Sequence, residues 1–210
     1  MHTPLSHPIS SIPLIGITGG IGSGKSTLAA ELVRRGYPVY DSDKQAKHII
    51  VHNPAVRSQI ELLFGSEVFE GDRYLTSLVS QRVFANPSLL HRLNAVVHPA
   101  VRFDLQEWQR RMEGQSLCFV ESAILYSSGL ADLCDHVVLV TAPDEVRIER
   151  VLRRDYNNLS TPENLRRIHL RIDAQQSEWQ MADNAICVNN DGTKKISTLV
   201  DELLKSIKID

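Results

Sequence analysis

Gly19-Gly20-Ile21-Gly22-Ser23-Gly24-Lys25-Ser26-Thr27 constrains this chain more than any other stretch. Four glycines fall within six positions, and a lysine and two hydroxyls follow. Each glycine costs about 0.5–1 kcal/mol relative to alanine in regular structure, so the backbone here must need conformations that other residues resist. The apolar run Ile12-Pro13-Leu14-Ile15-Gly16-Ile17 precedes it and stops at Thr18, the pattern of a buried strand. Leu28, Ala29, Leu32 and Val33 follow it on one face of a predicted helix, which Gly36 ends. Gly19-x-x-x-x-Gly24-Lys25-Ser26, between strand and helix, is the pattern of a phosphate-binding loop. Such a loop curls so that backbone N–H groups face one anion, and the helix adds its unpaired N–H groups and the positive end of its dipole. Gly20, Gly22, Ser23, Gly24, Lys25, Ser26 and Thr27 are the expected nucleotide contacts. Lys25 reaches the β- and γ-phosphates, and the Ser26 hydroxyl is placed to ligate Mg²⁺.

The loop implies a nucleoside triphosphate without naming the chemistry. The chain has no Asn-Lys-x-Asp guanine-reading motif, and its 210 residues are few for a motor or transporter ATPase. Further strand candidates are Tyr37–Tyr40, Leu117–Val120, His136–Val140 and Ala185–Val188, separated by helical patterns. Nearly all-apolar strands alternating with helices predict an α/β fold, a parallel sheet covered on both faces. Ile196, Leu199, Val200, Leu203, Leu204 and Ile207 predict a closing amphipathic helix.

Residues 44–114 read as a helical insertion. Leu89, Leu90, Leu93, Val96 and Val97 form one stripe and Val101, Leu105, Trp108 and Met112 another, with His98-Pro99 expected to break the chain between them. The predicted organisation is a flexible tail over 1–11, a nucleotide-binding core from 12–43, 115–149 and 180–210, the helical substrate domain over 44–114, and an arginine-rich lid over 150–179.

On the acceptor side, Asp41-Ser42-Asp43 closes the second strand, at the end where open parallel sheets bind ligands. One carboxylate can support the metal through water while the other takes a proton from an attacking hydroxyl; Asp43 is the expected base. Glu121, ending the next strand, is expected to support the metal's water shell. Arg147, Arg150 and Arg154 share a helix face, with Arg166, Arg167 and Arg171 beyond, and at least one is expected to reach the phosphates from a closing lid.

A formal charge of -2 gives no global field toward nucleic acid or anionic membrane, and neither is expected as a partner. No apolar run approaches the roughly 18–20 residues that span a bilayer. Cys118, Cys134 and Cys187 are scattered, and Cys118 and Cys187 lie in apolar runs, which predicts buried thiols in a reducing, cytoplasmic setting. A monomer or small homo-oligomer is expected.

Taken in order, these motifs resemble the dephospho-coenzyme A kinase family. The resemblance runs from about Leu14 to Gly192. It rests on Ile17 through Thr27, Asp41-Ser42-Asp43, Leu63-Phe64-Gly65, His98-Pro99, Arg150 with Arg154-Asp155, Arg171-Ile172-Asp173-Ala174-Gln175, and Ala182-Asp183. It implies a phosphate-loop kinase of the nucleoside monophosphate kinase-like architecture, with a helical substrate domain and a helical lid. It also implies transfer of the ATP γ-phosphate, with Mg²⁺, to the ribose 3′-hydroxyl of dephospho-coenzyme A. The family's base falls on Asp43 and its lid arginine on Arg150; Asp41, Asp43, His98 and Arg102 are the expected substrate contacts, and Lys25, Asp43 and Arg150 the expected catalytic residues. Where the family often has Asp-x-Pro-Leu-Leu-Phe-Glu, this chain has Glu121 through Ser127, keeping the first acid as Glu and losing the last; a Gln three residues before the lid arginine is here Arg147. The competing reading is a small-molecule kinase resembling shikimate kinase, but that family's Gly-Gly-Gly stretch has no counterpart, since the only adjacent glycines are Gly19-Gly20.

Overall fold

A computed structural model describes residues 12–207; the predicted tail over 1–11 lies outside the described residues. The chain divides into two compact units, Asp41–Arg111 and the remainder.

The larger unit is built on a five-stranded parallel sheet flanked by helices. Its strands are β1 (Leu14–Thr18), β2 (Val39–Asp41), β5 (Cys118–Glu121), β6 (His136–Thr141) and β7 (Ile186–Asn189), in the order β2-β5-β1-β6-β7. β1 is central because it is apolar on both faces: all five of its residues are buried. It pairs in parallel with β5, Ile17 opposite Glu121, and with β6, Thr18 opposite Leu139. The register therefore sets the end of β1, where the glycine-rich loop begins, beside the acid that ends β5.

α1 (Lys25–Arg34) and α9 (Ile196–Ser206) cover the sheet. Leu28 and Leu32 from α1 and Leu199, Val200 and Leu203 from α9 join Ile15, Ile17, Phe119, Val138 and Val140 in one buried cluster. Burial of this kind is worth about 25 cal/mol per Å² of apolar surface removed from water. Of the predicted α1 stripe, Leu28, Ala29 and Leu32 are buried, whereas Val33, expected on the same face, is exposed. A second, smaller cluster joins Ile21 of the loop to Val151 of α6 (Asp144–Asp155) and to Ile168 and Ile172 of α7 (Pro162–Asp173). α8 (Gln176–Gln180) follows.

One expectation about the thiols is corrected. Cys118 is buried, but Cys134 is intermediate and Cys187 exposed. β7 is an edge strand, and side chains alternate along it, so Val188 turns into the core while Cys187 and Asn189 turn out.

The unit Asp41–Arg111 holds α2 (Ser42–His52), α3 (Pro54–Phe64), the two-residue strands β3 (Phe69–Glu70) and β4 (Arg73–Tyr74), α4 (Thr76–Ala85) and α5 (Ser88–Arg110). β3 and β4 form an antiparallel hairpin that periodicity alone did not signal, because two residues are too few to show alternation. Pro99 does not break the chain as expected. It lies inside α5, which runs unbroken for 23 residues. The proline forfeits one hydrogen bond within the helix. Val97, Val101 and Leu105 nevertheless keep one buried face through it, packed with α2 and α3, and that continuous contact outweighs the local loss.

The two helices that cover the sheet are also tied by charge. Glu31 accepts hydrogen bonds from Arg34 and Arg35, and Arg35 also reaches Asp201 of α9 at 2.5 Å. The hydrogen bond from Arg34, then that from Arg35, holds the Glu31 carboxyl at about 2 against an ordinary 4.5. A depressed acid contributes stability that is present above its unfolded value and lost as pH falls through the folded one. Glu31→Gln should therefore weaken the dependence of unfolding free energy on pH between 4.5 and about 2, measured by denaturant titration at each pH. An unchanged acid limb would show that the pairing of Glu31 with Arg34 and Arg35 contributes nothing.

Candidate active site

The loop leaves β1 at Thr18 and enters α1 through Gly24, the residue that caps the helix with φ 96°. That left-handed conformation disfavours any side chain, and a Cβ there would run into the Asn190 amide. Asn190 follows β7 directly, so the last strand of the sheet packs its polar end against the start of the first helix.

The loop's carbonyls are held from outside. Arg147 Nε donates to the Ile21 carbonyl at 2.9 Å. Arg150 Nη1 donates to the carbonyls of Gly22 and Ser23 at 3.2 and 3.3 Å. Asn190 Nδ2 donates to the Ser23 carbonyl at 2.8 Å. In a trans peptide the C=O and N–H point to opposite sides. Fixing the Ile21 and Ser23 carbonyls outward therefore aims the N–H groups of Gly22 and Gly24 to the other side, toward the N–H groups of Lys25 and Ser26 that open α1. The Ser23 N–H is taken by the Gly20 carbonyl at 3.1 Å, and those of Thr27 and Leu28 by the Gly24 carbonyl. The result is a nest of donors suited to a polyphosphate. Ile21 is excluded from it, because its N–H donates to Gln175 Oε1 at 2.7 Å. The hydroxyls of Thr18 and Ser23 are buried at the root of the loop without a hydrogen-bond partner in the protein.

Three of the predicted residues meet at one atom. Glu121 Oε1 lies 2.9 Å from Lys25 Nζ and 3.1 Å from Ser26 Oγ. The Lys25 and Glu121 side chains are only 15% and 8% exposed, so each needs the other's charge. The cluster contains one hydroxyl and one carboxylate of the kind that surround Mg²⁺, an ion that keeps several waters and needs few protein ligands. No group of three or more His, Cys, Asp or Glu able to hold a metal occurs among the described residues.

The arginines divide their duties. Arg150, expected at the phosphates, lies on the carbonyl side of the loop and also reaches Asn190 Oδ1 at 3.4 Å. Arg154 and Arg171 both bind Asp155, at 2.7 and 2.9 Å, which joins the end of α6 to α7. The Arg154 hydrogen bond first, and that from Arg171, holds the Asp155 carboxyl at about 2. Arg167 pairs with Glu163 on α7 itself. Arg147 is 1% exposed. Glu178, a buried acid that the patterns did not single out, accepts the backbone N–H groups of Tyr126 at 2.5 Å and Ser127 at 3.2 Å. A carboxylate from α8 thus sits at the backbone of the position where the resembled family has an acid and this chain has serine. Asn190 was also missed; a polar residue where a strand gives out, as Glu121 ends β5 and Asp41 ends β2, was the available signal.

The remaining predicted residues belong to the unit Asp41–Arg111. Asp41 caps α2, accepting the Lys44 N–H at 2.9 Å, and Asp43 lies exposed in that helix's first turn. His98 and Arg102 stand one turn apart on α5, both partly buried. Burial pushes the His98 pKa down, favouring the neutral imidazole.

Known proteins resemble this chain in sequence and in fold. The family model described as "Dephospho-CoA kinase" matches residues 13–195. A protein named dephospho-CoA kinase from Porphyromonas gingivalis is 42% identical over 168 residues, 80% of each chain. The solved structure of dephospho-CoA kinase from Campylobacter jejuni, 22% identical, superposes with a TM-score of 0.67 over 92% of this chain and 96% of that one. A shikimate kinase from Acinetobacter baumannii, solved with shikimate, is 15% identical and superposes with a TM-score of 0.51, covering 94% of this chain and 97% of that one. Both structural likenesses establish the α/β fold, and a fold shared by two acceptor chemistries does not choose between them. The family match over most of the chain does choose: the chain belongs to the dephospho-CoA kinase family, and is an ATP-dependent phosphotransferase.

Proposed function

We propose that this chain transfers the γ-phosphate of ATP to the 3′-hydroxyl of the ribose of dephospho-CoA, giving CoA and ADP. The observation that carries the reading is the meeting of Lys25 and Ser26 on Glu121 Oε1 at the mouth of a donor nest. The triphosphate would lie in the nest, with Lys25 turning from Glu121 to the β- and γ-phosphates. Ser26 directly, and Glu121 through water, would hold Mg²⁺. That ion supplies neutralisation of charge on the β- and γ-oxygens.

In the transfer, the 3′-oxygen attacks the γ-phosphorus and the bond to the β–γ bridging oxygen breaks, releasing ADP. The proton of the 3′-hydroxyl goes to the Asp43 carboxylate. Asp41 caps α2, and Asp43 lies exposed in the first turn of that helix, which supports Asp43 as the proton acceptor. His98 and Arg102 are the proposed contacts to dephospho-CoA on α5. Arg150 is proposed to stabilise the transferring phosphoryl group. To touch that group its guanidinium must leave the carbonyls of Gly22 and Ser23, a movement that nucleotide charge would favour.

Steady-state assays with ATP and dephospho-CoA, run beside shikimate and nucleosides, test the acceptor. Turnover confined to dephospho-CoA is expected; turnover only with another acceptor would overturn the reading. Lys25→Ala should lower kcat on the order of 10²-fold or more, because it removes preorganised charge at the transferring group. Near-parental turnover in that variant would remove Lys25 from the mechanism. Asp43→Asn should depress kcat while equilibrium ATP binding persists, as expected of a proton acceptor. Lost ATP binding with unchanged turnover at saturation would place Asp43 on the nucleotide instead.

A further inference from the structure

Arg147 is among the largest fully buried side chains in the described structure, at 1% exposure. A guanidinium is expensive to bury unless its donors and charge are met. Two of its three nitrogens are met: Nε by the Ile21 carbonyl at 2.9 Å and Nη1 by Asp144 Oδ1 at 2.9 Å. The third, Nη2, is buried with no hydrogen-bond partner. One flat face of the guanidinium lies on the Trp179 indole, with 4.4 Å between Cζ and the ring centroid. Both groups press on the loop at Gly20, where a Cβ would overlap the indole and Arg147 Nη2 alike. The Gly20 position is therefore closed by this pair. Asp144, which pairs with the arginine, has a side chain 63% exposed, so solvent screens much of its charge while the guanidinium stays dry behind the loop.

Resting on the reading that ATP binds this loop, we propose that Arg147 is a positioning residue for the triphosphate, locked by Trp179 and acting through the Ile21–Gly22 peptide. The hydrogen bond to the Ile21 carbonyl turns that peptide so that the Gly22 N–H faces the anion. The indole fixes the plane of the guanidinium, and so the direction of Nε. The missing side chain at Gly20 lets both close on the loop. Arg147 also leaves a buried positive charge directly behind the nest, where low dielectric keeps it strong. Arg147 touches neither substrate in this account; its effect is confined to how well the nest is aimed.

The test is a set of equilibrium ATP titrations with Mg²⁺, beside steady-state constants for both substrates. Arg147→Met keeps the length of the stem and removes the fork. It should weaken ATP binding by about tenfold or more, the scale of a lost charge-assisted hydrogen bond, with a much smaller change in KM for dephospho-CoA. A purely structural role would instead lower thermal stability and move both substrate constants together. Trp179→Leu should weaken ATP binding in the same direction by about threefold or more, and Trp179→Phe, which keeps an aromatic face, should recover most of it. A folded Arg147→Met that binds ATP like the parent overturns the proposal. Should Arg147→Met not fold, the Trp179 pair decides: leucine and phenylalanine variants that both bind like the parent overturn it equally. Absence of ATP binding in the parent chain would instead sink the nucleotide reading itself.

Discussion

Ile21 is held at three points, and the geometry of the loop depends on that grip. Its side chain is packed with Val151, Ile168 and Ile172. Its N–H is taken by Gln175 and its carbonyl by Arg147. A glycine-rich segment has little stiffness of its own, because the residue that frees φ also enlarges the unfolded ensemble. Anchoring one non-glycine residue on all sides supplies that stiffness from outside. The helices that follow β6 are therefore part of the loop's support as well as a candidate lid.

The anchoring also explains why cations crowd the outer surface of a loop meant for an anion. Carbonyls turned away from the ligand must be satisfied somewhere, and buried polar groups without partners are costly. Arg147, Arg150 and Asn190 satisfy them. The same arginines place positive charge behind the nest, so backbone satisfaction and attraction for phosphate come from one set of side chains. Lys25 and Glu121 play the complementary part on the front. Held together at 2.9 Å, each compensates the other's charge.

The likeness to a shikimate kinase is one of fold, in the parallel sheet and the helices that flank it, and a shared fold does not assign an acceptor. The unit Asp41–Arg111, with Asp43, His98 and Arg102, is where the proposed acceptor contacts are found. Its fold is secured by α5, whose buried face carries straight through Pro99. Long-range packing there overrides a local signal that reads as a break.

Local sequence determined the strands, most helices and the phosphate loop. The strand over Leu14–Thr18, the loop at Gly19–Thr27 and the closing helix at Ile196–Ser206 follow from apolar periodicity and glycine spacing, which act over a few residues. The family resemblance followed from the order of those short motifs. Tertiary structure alone decided the partners. Arg147 reaches Ile21 across 126 positions, Glu178 reaches Ser127 across 51, and Lys25 meets Glu121 only because parallel pairing sets Ile17 beside it. It also decided that Arg147 is buried against Trp179 while Arg154 is exposed beside Asp155, although both share a helix face in the sequence. Spacing specifies which side chains turn the same way; which of them then meet a carbonyl, an indole or water depends on the surface that distant segments bring opposite.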